Sequence, residues 1–190
     1  MTVVKRLHGK FENVKILESN LIYNKHGRRV VEDLLEFADG SRYEWVYFKG
    51  KENVGAVAVA AFTKDNRIIL TRQYRHPFGK MMHDLPAGAM IEGETPEQAA
   101  MRELEEETGF TAEKLEWIGR FTWAPGAMGP GTVEIFFTKS LRQKGTFNPD
   151  EIANIEFIDF KEVREKVLDG ELIDSALVIA VPLVSVKGLI

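Results

Sequence analysis

Residues 88–110 read GAMIEGETPEQAAMRELEEETGF. Four of the five residues from 103 to 107 are glutamates: Glu103, Glu105, Glu106 and Glu107. The flanks mark a helix. Thr95 followed by Gln98 is a capping-box pattern, Pro96 suits the first helical position, and Gly109 suits the position just past the end. The spacing predicts a helix over about 96–108. At about 100° per residue, Glu97, Ala100, Met101, Leu104 and Thr108 share a mostly apolar face. Glu103, Glu106 and Glu107 share a second face, about a third of a turn away. The apolar face is expected to pack on a sheet and the carboxylate face to stay off it.

Two readings of the acidic face compete. One is a solvated surface. The other is a cation cradle. A solvated helix usually sets Lys or Arg four residues after Glu, yet Glu103 is followed at that spacing by Glu107. Only Arg102, four before Glu106, has the opposite sign. Carboxylates about 5.5 Å apart repel by about 3 kcal/mol at an effective dielectric near 20. A bound cation removes that cost. Oxygen donors without Cys or His select hard ions, Mg²⁺ first, then Mn²⁺ or Ca²⁺. Mg²⁺ keeps places in its shell for water and substrate phosphate.

Outward from the helix, the chain is rich in strands. RVVEDLLEF (29–37) meets SRYEWVYF (41–48) through a turn at 38–41. AVAVAAF (56–62) and RIILTRQY (67–74) read as a strand pair around 63–66. LPAGAMIEGE (85–94) reads as a glycine-rich turn. EWIGRFTW (116–123) and TVEIFFTKSL (132–141) read as strands flanking the loop APGAMGPG, and NIEFIDF (154–160) as another. KEVREKVLDG ends in a glycine suited to a helix C-cap, and LIDSALVIAVPLV is apolar enough to be buried. The fold class is α+β, with helices on the faces of a sheet. A small N-terminal β region, 1–50, is expected to precede a main domain, 51–190, with GKEN (50–53) as linker.

The composition limits the chemistry. A net charge of −4 without a long basic run argues against nucleic acid or an anionic membrane as partner. The absence of cysteine excludes thiolate nucleophiles and cysteine-built zinc or iron–sulfur sites. MTVVKRLHGK lacks the apolar core of a signal peptide, and the apolar run at 54–62 is far below the roughly 18 residues needed to span a bilayer. A cytoplasmic protein is expected.

The stretch 88–110 resembles the Nudix box. It has Gly88, then Glu94, then Arg102-Glu103-Leu104, Glu106-Glu107 and Gly109-Phe110. The resemblance implies a Nudix α/β/α sandwich with a mixed sheet and hydrolysis of a nucleoside diphosphate linked to another moiety. It implies that Glu103, Glu106 and Glu107, with the carbonyl of Ala87, hold Mg²⁺, Mn²⁺ being a possible substitute. Arg102 would orient the glutamates, Gly88 would permit a tight turn, and Glu94 would tether the loop. Glu105 is expected to be solvated.

Within that family the chain resembles the ADP-ribose pyrophosphatase branch. Pro125 lies 16 residues after Gly109, and LTRQYRHPFG (70–79) and DLPAGAM (84–90) lead into the box. The resemblance implies cleavage of ADP-ribose to AMP and ribose 5-phosphate by a homodimer whose N-terminal β region helps to bind substrate. Arg75 is a phosphate-contacting candidate or a surface arginine. Tyr47 and Trp123 stack a base or belong to the core or the dimer interface. Asp150 and Glu151, in TFNPDEIAN, are candidate general bases or ordinary loop acids, with Glu134 ranked below them. The loop APGAMGPGTVE lacks the hydroxyl and acidic residues that relatives carry after the Pro-Gly pair. Val46-Tyr47-Phe48-Lys49 stands where relatives place an Arg and a Glu. Another nucleotide sugar such as GDP-mannose is therefore the alternative substrate. A non-catalytic nucleotide-sensing module is a third reading, set against the retention of all three metal glutamates.

Overall fold

The computed structural model describes residues 13–26, 28–50, 55–125, 127, 129 and 131–190. Beyond Gly50, the expected linker lies outside these residues. So do residues 1–12 of the N-terminal region and three residues of the loop after Trp123. The chain falls into two compact units. One contains the N-terminal sheet and the loop 124–131; the other contains the remainder.

The first unit is an antiparallel sheet of β1 (Lys15–Lys25), β2 (Arg28–Glu36) and β3 (Arg42–Phe48), in that order. β2 and β3 join at the turn expected from the sequence. Gly40 takes a left-handed φ of 78°, and Asp39 accepts from the Ser41 amide at 3.0 Å. Val31 and Asp33 of β2 are buried, whereas β1 is exposed along its whole length.

The second unit is built around β4 (Ala56–Ala61), whose residues 57–61 are all buried. Alternate side chains of a strand point to opposite faces, and both faces of β4 are covered. Val57, Val59 and Ala61 pack with Ala99, Ala100 and Leu104 of helix α1 (Pro96–Thr108). Ala58 and Ala60 pack on the other side with Val163 of α2 (Phe160–Leu168) and Leu177 and Ala180 of α3 (Ser175–Val186). The result is the expected three-layer sandwich. Its sheet is mixed: β4 runs parallel to β10 (Val133–Thr138) and antiparallel to β7 (Ala87–Ala89), and β9 (Glu116–Phe121) completes the order β7-β4-β10-β9.

Two expectations fail. The strands expected at 56–62 and 67–74 both form, but they do not pair with each other in one sheet. β5 (Arg67–Arg75) instead pairs with β6 (Lys80–Asp84) and β12 (Asn154–Asp159), and a single bridge, Phe62 to Ile68, links it to the end of β4. AVAVAA has apolar side chains on both faces, which suits a central strand with a parallel neighbour. The stretch 85–94 is not all turn, because it contains β7. Short strands β8 (Phe110–Ala112) and β11 (Leu141–Gln143) pair beside the end of α1.

Candidate active site

Helix α1 has the boundaries expected from its sequence. The Thr95 hydroxyl accepts from the Gln98 amide at 3.2 Å, and the Gln98 side chain accepts from the Thr95 amide at 2.9 Å. Gly109 ends the helix with φ 73°, and its N–H donates to the Glu105 carbonyl at 2.8 Å. These caps fix the rotation of the helix against β4 and β7, and with it the direction of each glutamate.

That direction corrects the expectation for the acidic face. Glu103 and Glu107 are buried, at 9% and 7% exposure, while the Glu106 side chain is 54% exposed. Residues 103 and 107 lie about 40° apart on the helix and flank the buried residues Ala100 and Leu104. They therefore turn inward over β7. β7 admits them because Gly88 has no side chain. A Cβ there would stand 2.2 Å from the Glu103 carboxyl carbon.

The electrostatics follow from this burial. The Ala87 amide donates to Glu107 Oε2 at 2.9 Å, and this is outweighed by desolvation, which pushes the Glu107 pKa up to about 8. The charges of Glu103 and Glu151 raise it further, and Arg75 opposes them. Burial also raises the Glu103 pKa, against the pull of Arg102. Arg102 is the hub of the cluster. It grips Glu94 from Nε at 2.8 Å and Nη2 at 3.0 Å, a two-pronged pair. Its Nη1 donates to Glu103 at 2.7 Å and Glu106 at 3.0 Å, and Nη2 also reaches the Ala89 carbonyl. The Arg102 bond, aided by the Ile91 amide, holds the Glu94 pKa down to about 2.

The loop carrying Asp150 and Glu151 is tied to the same helix. The Asn148 amide donates to the Glu106 carbonyl at 2.8 Å, the Lys144 and Gly145 amides donate to the Gly109 carbonyl, and Ile152 is buried. The charge of Glu151 acts on both buried glutamates. Asp150 is not among the charges that act most on either. Glu134 is engaged by Trp117 Nε1 at 2.7 Å and paired with Arg120. Glu105, expected to be solvated, pairs with Lys144 at 2.8 Å.

The remaining candidates divide between the units. Arg75 belongs to the second and pairs with Asp84, which the sequence reading did not single out. Its only signal there was an acid set directly before the apolar Leu85. Trp123 is in the second unit and is 60% exposed. Tyr47 and Pro125 are in the first. Burial and the hydrogen-bonded Asp33 carboxylate raise the Tyr47 pKa.

Among the described residues, no three acidic, histidine or cysteine side chains already converge closely enough to enclose an ion. Arg102 takes up one oxygen each of Glu103 and Glu106. The donor set nevertheless fits a hard divalent cation: three carboxylates, two of them buried with raised pKa values, and no nitrogen or sulfur donor in the cluster. Among the described residues, no helix is long and apolar enough to cross a membrane.

Comparison with known proteins identifies the fold and the chemistry. The sequence model of the NUDIX domain matches residues 52–177. The chain is 32% identical over 178 residues to a methanol dehydrogenase activator of Bacillus methanolicus, covering 91% of this chain and 93% of that protein. It is 35% identical over 136 residues to an ADP-ribose pyrophosphatase of Bacillus subtilis, covering 70% and 73%. A solved ADP compounds hydrolase superposes with a TM-score of 0.83 at 23% identity, over 94% of this chain and 97% of that one. Taken with the buried glutamates of α1, these similarities establish that the chain belongs to the Nudix family, as a hydrolase acting on pyrophosphate bonds.

Proposed function

We infer that the chain hydrolyses the diphosphate of ADP-ribose to AMP and ribose 5-phosphate, using Mg²⁺ or, in its place, Mn²⁺. The observation that carries this reading is the trio Glu103, Glu106 and Glu107 beside Ala87 on a capped helix. The similarity to named ADP-ribose pyrophosphatases supports the choice of substrate.

In this reading Glu103, Glu106, Glu107 and the Ala87 carbonyl hold the metal. Bound Mg²⁺ supplies neutralisation of diphosphate charge and a lowered pKa for an attacking water. Arg102 keeps the glutamates oriented through its bonds to Glu94, Glu103 and Glu106. Glu151 takes the proton from water, in preference to Asp150, because its charge reaches both buried carboxylates. Arg75 meets a phosphate oxygen, while Tyr47, Trp123 and Pro125 contact the nucleoside.

The main domain spans 51–190 and the small β domain 1–50. The working species is a cytoplasmic homodimer. The exposed apolar residues of the first unit, including Ile16, Leu21, Ile22, Tyr43, Trp45 and Phe48, support an N-terminal surface that a second copy covers. GDP-mannose or another nucleotide sugar is the alternative substrate, favoured by the departures in the loop after Pro125. A second reading, activation of a dehydrogenase, is favoured by the relative that matches 91% of the chain.

The test is hydrolysis of ADP-ribose, GDP-mannose, UDP-glucose, NADH and diadenosine polyphosphates with Mg²⁺ and with EDTA, products being identified by chromatography. Mg²⁺-dependent release of AMP with ADP-ribose preferred is the expected result. Preference for another substrate overturns the substrate assignment and leaves the metal site standing. Adding the chain to a methanol dehydrogenase assay tests the second reading.

A further inference from the structure

Asp84 ends β6 and is 3% exposed. Its Oδ2 accepts from both Nε, at 2.8 Å, and Nη2 of Arg75. Its Oδ1 is buried and has no hydrogen-bond partner among the described residues. An unmet buried acceptor costs about 1–3 kcal/mol. Here two donors converge on one oxygen, and Nη1 of Arg75 makes no hydrogen bond among the described residues. The Arg75 side chain is 43% exposed. One end of the guanidinium is clamped and the other is open.

The chain path places this clamp close to the glutamate cluster. Asp84, Leu85, Pro86 and Ala87 are consecutive. The Asp84 carbonyl accepts from the Thr71 hydroxyl on β5, the Pro86 carbonyl accepts from the Val59 amide on β4, and the Ala87 amide donates to Glu107. Only two residues, Leu85 and Pro86, therefore separate the acid that clamps Arg75 from the amide that holds Glu107. The charge of Arg75 acts on Glu107.

We propose that Asp84 is a positioning residue whose carboxylate aims the Arg75 guanidinium, so that its open end meets a phosphate oxygen of a nucleoside diphosphate bound at the glutamate cluster. The substrate class rests on the hydrolase reading above. Without Asp84, Arg75 keeps its charge and loses its direction. Substrate binding then weakens more than the chemical step does.

Calorimetric binding of the non-hydrolysable α,β-methylene analogue of ADP-ribose, with Mg²⁺, is measured beside kcat and KM for ADP-ribose hydrolysis. Asp84→Asn is expected to weaken analogue binding and raise KM by about tenfold, with kcat changed by less than about threefold. Arg75→Gln should produce the same loss, and the double variant should be no worse than either single one. Arg75→Lys keeps the charge without the Nε–H that Asp84 accepts, and should raise KM in the same way. Asp174 provides a structural control: it feels the same guanidinium, but its carboxylate caps α3 by accepting from Leu177 at 2.8 Å. Asp174→Ala should lower Tm and leave KM unmoved.

Additive losses in the double variant, or an unchanged KM in folded Asp84→Asn, would overturn the proposal and leave the hydrolase reading intact. If Asp84→Asn does not fold, an unchanged KM in Arg75→Lys overturns it instead. If the unsubstituted chain neither binds the analogue nor cleaves any nucleoside diphosphate, the hydrolase reading fails and the proposal fails with it.

Discussion

Helix α1 contains two regions built to opposite rules. Its ends follow every local preference: Thr95 and Gln98 close a capping box, Pro96 starts the helix, and Gly109 stops it. Its middle violates them. Glu103 and Glu107 are buried beside each other with raised pKa values, on a helix face that would be more stable if apolar. The difference separates scaffold from site. Stability resides in the caps and in the packing of Ala99, Ala100 and Leu104, which offsets the cost of the carboxylates held between them.

Substitutions should pull the two regions apart. The largest effect is expected for Glu107→Gln. Activity should fall on the order of 10²–10³-fold, the range for losing one preorganised charged group, while Tm of the metal-free protein holds or rises. Parallel steady-state kinetics and thermal melts check both halves; a large fall in Tm would break the comparison. Gly88→Ala is next. The three atoms nearest its Cβ would all belong to the flexible end of Glu103. Displacing that carboxylate should reduce kcat/KM on the order of 10²-fold, with little loss in denaturant midpoint.

Gly109→Ala should do the reverse. Its φ is 73°, and a Cβ would stand 2.6 Å from the Gly145 carbonyl oxygen, which is backbone and cannot swing away. A destabilisation of about 1–3 kcal/mol is expected from urea unfolding.

The pH dependence tests the middle of the helix directly. Glu107 titrates near 8 when folded, and Asp174 near 6, both above their unfolded values. The folded state therefore holds protons that the unfolded state has released. Stability contributed by these groups is present at low pH and is lost as pH rises through the folded values. Melts of metal-free protein from about pH 5 to about pH 8 should show Tm falling, and Glu107→Gln should flatten the slope. The smallest effect is the cap: Thr95→Ala should cost about 1 kcal/mol in stability, with kinetics unchanged once folded.

The legible parts of the sequence were those in which local chemistry decides the outcome. The bounds of α1, the turn at Gly40 and the strands at 133–138 and 154–159 are fixed by caps, glycines and apolar runs within a few residues. The parallel partnership of β4 with β10 was not legible, because it joins segments more than seventy residues apart and AVAVAA offers no register of its own. The site divides in the same way. The clustering of Glu103, Glu106 and Glu107 on one helix, with Arg102 beside them, could be read from their spacing. The inward turn of Glu103 and Glu107 could not, because it depends on Gly88 lying against the helix. Nor could the Arg75–Asp84 pair or the Glu105–Lys144 pair, each of which needs a second strand or loop to bring it together.

One hydrogen bond gives the site a built-in reporter. The Ala87 amide donates to the side chain of Glu107. Its hydrogen-exchange rate therefore measures whether that one carboxylate remains in place, independently of the unfolding of the strand around it. As ligands, pH or substitutions draw Glu107 away, this single proton should become labile before its neighbours do, and the order of events within the site can be timed without a substrate.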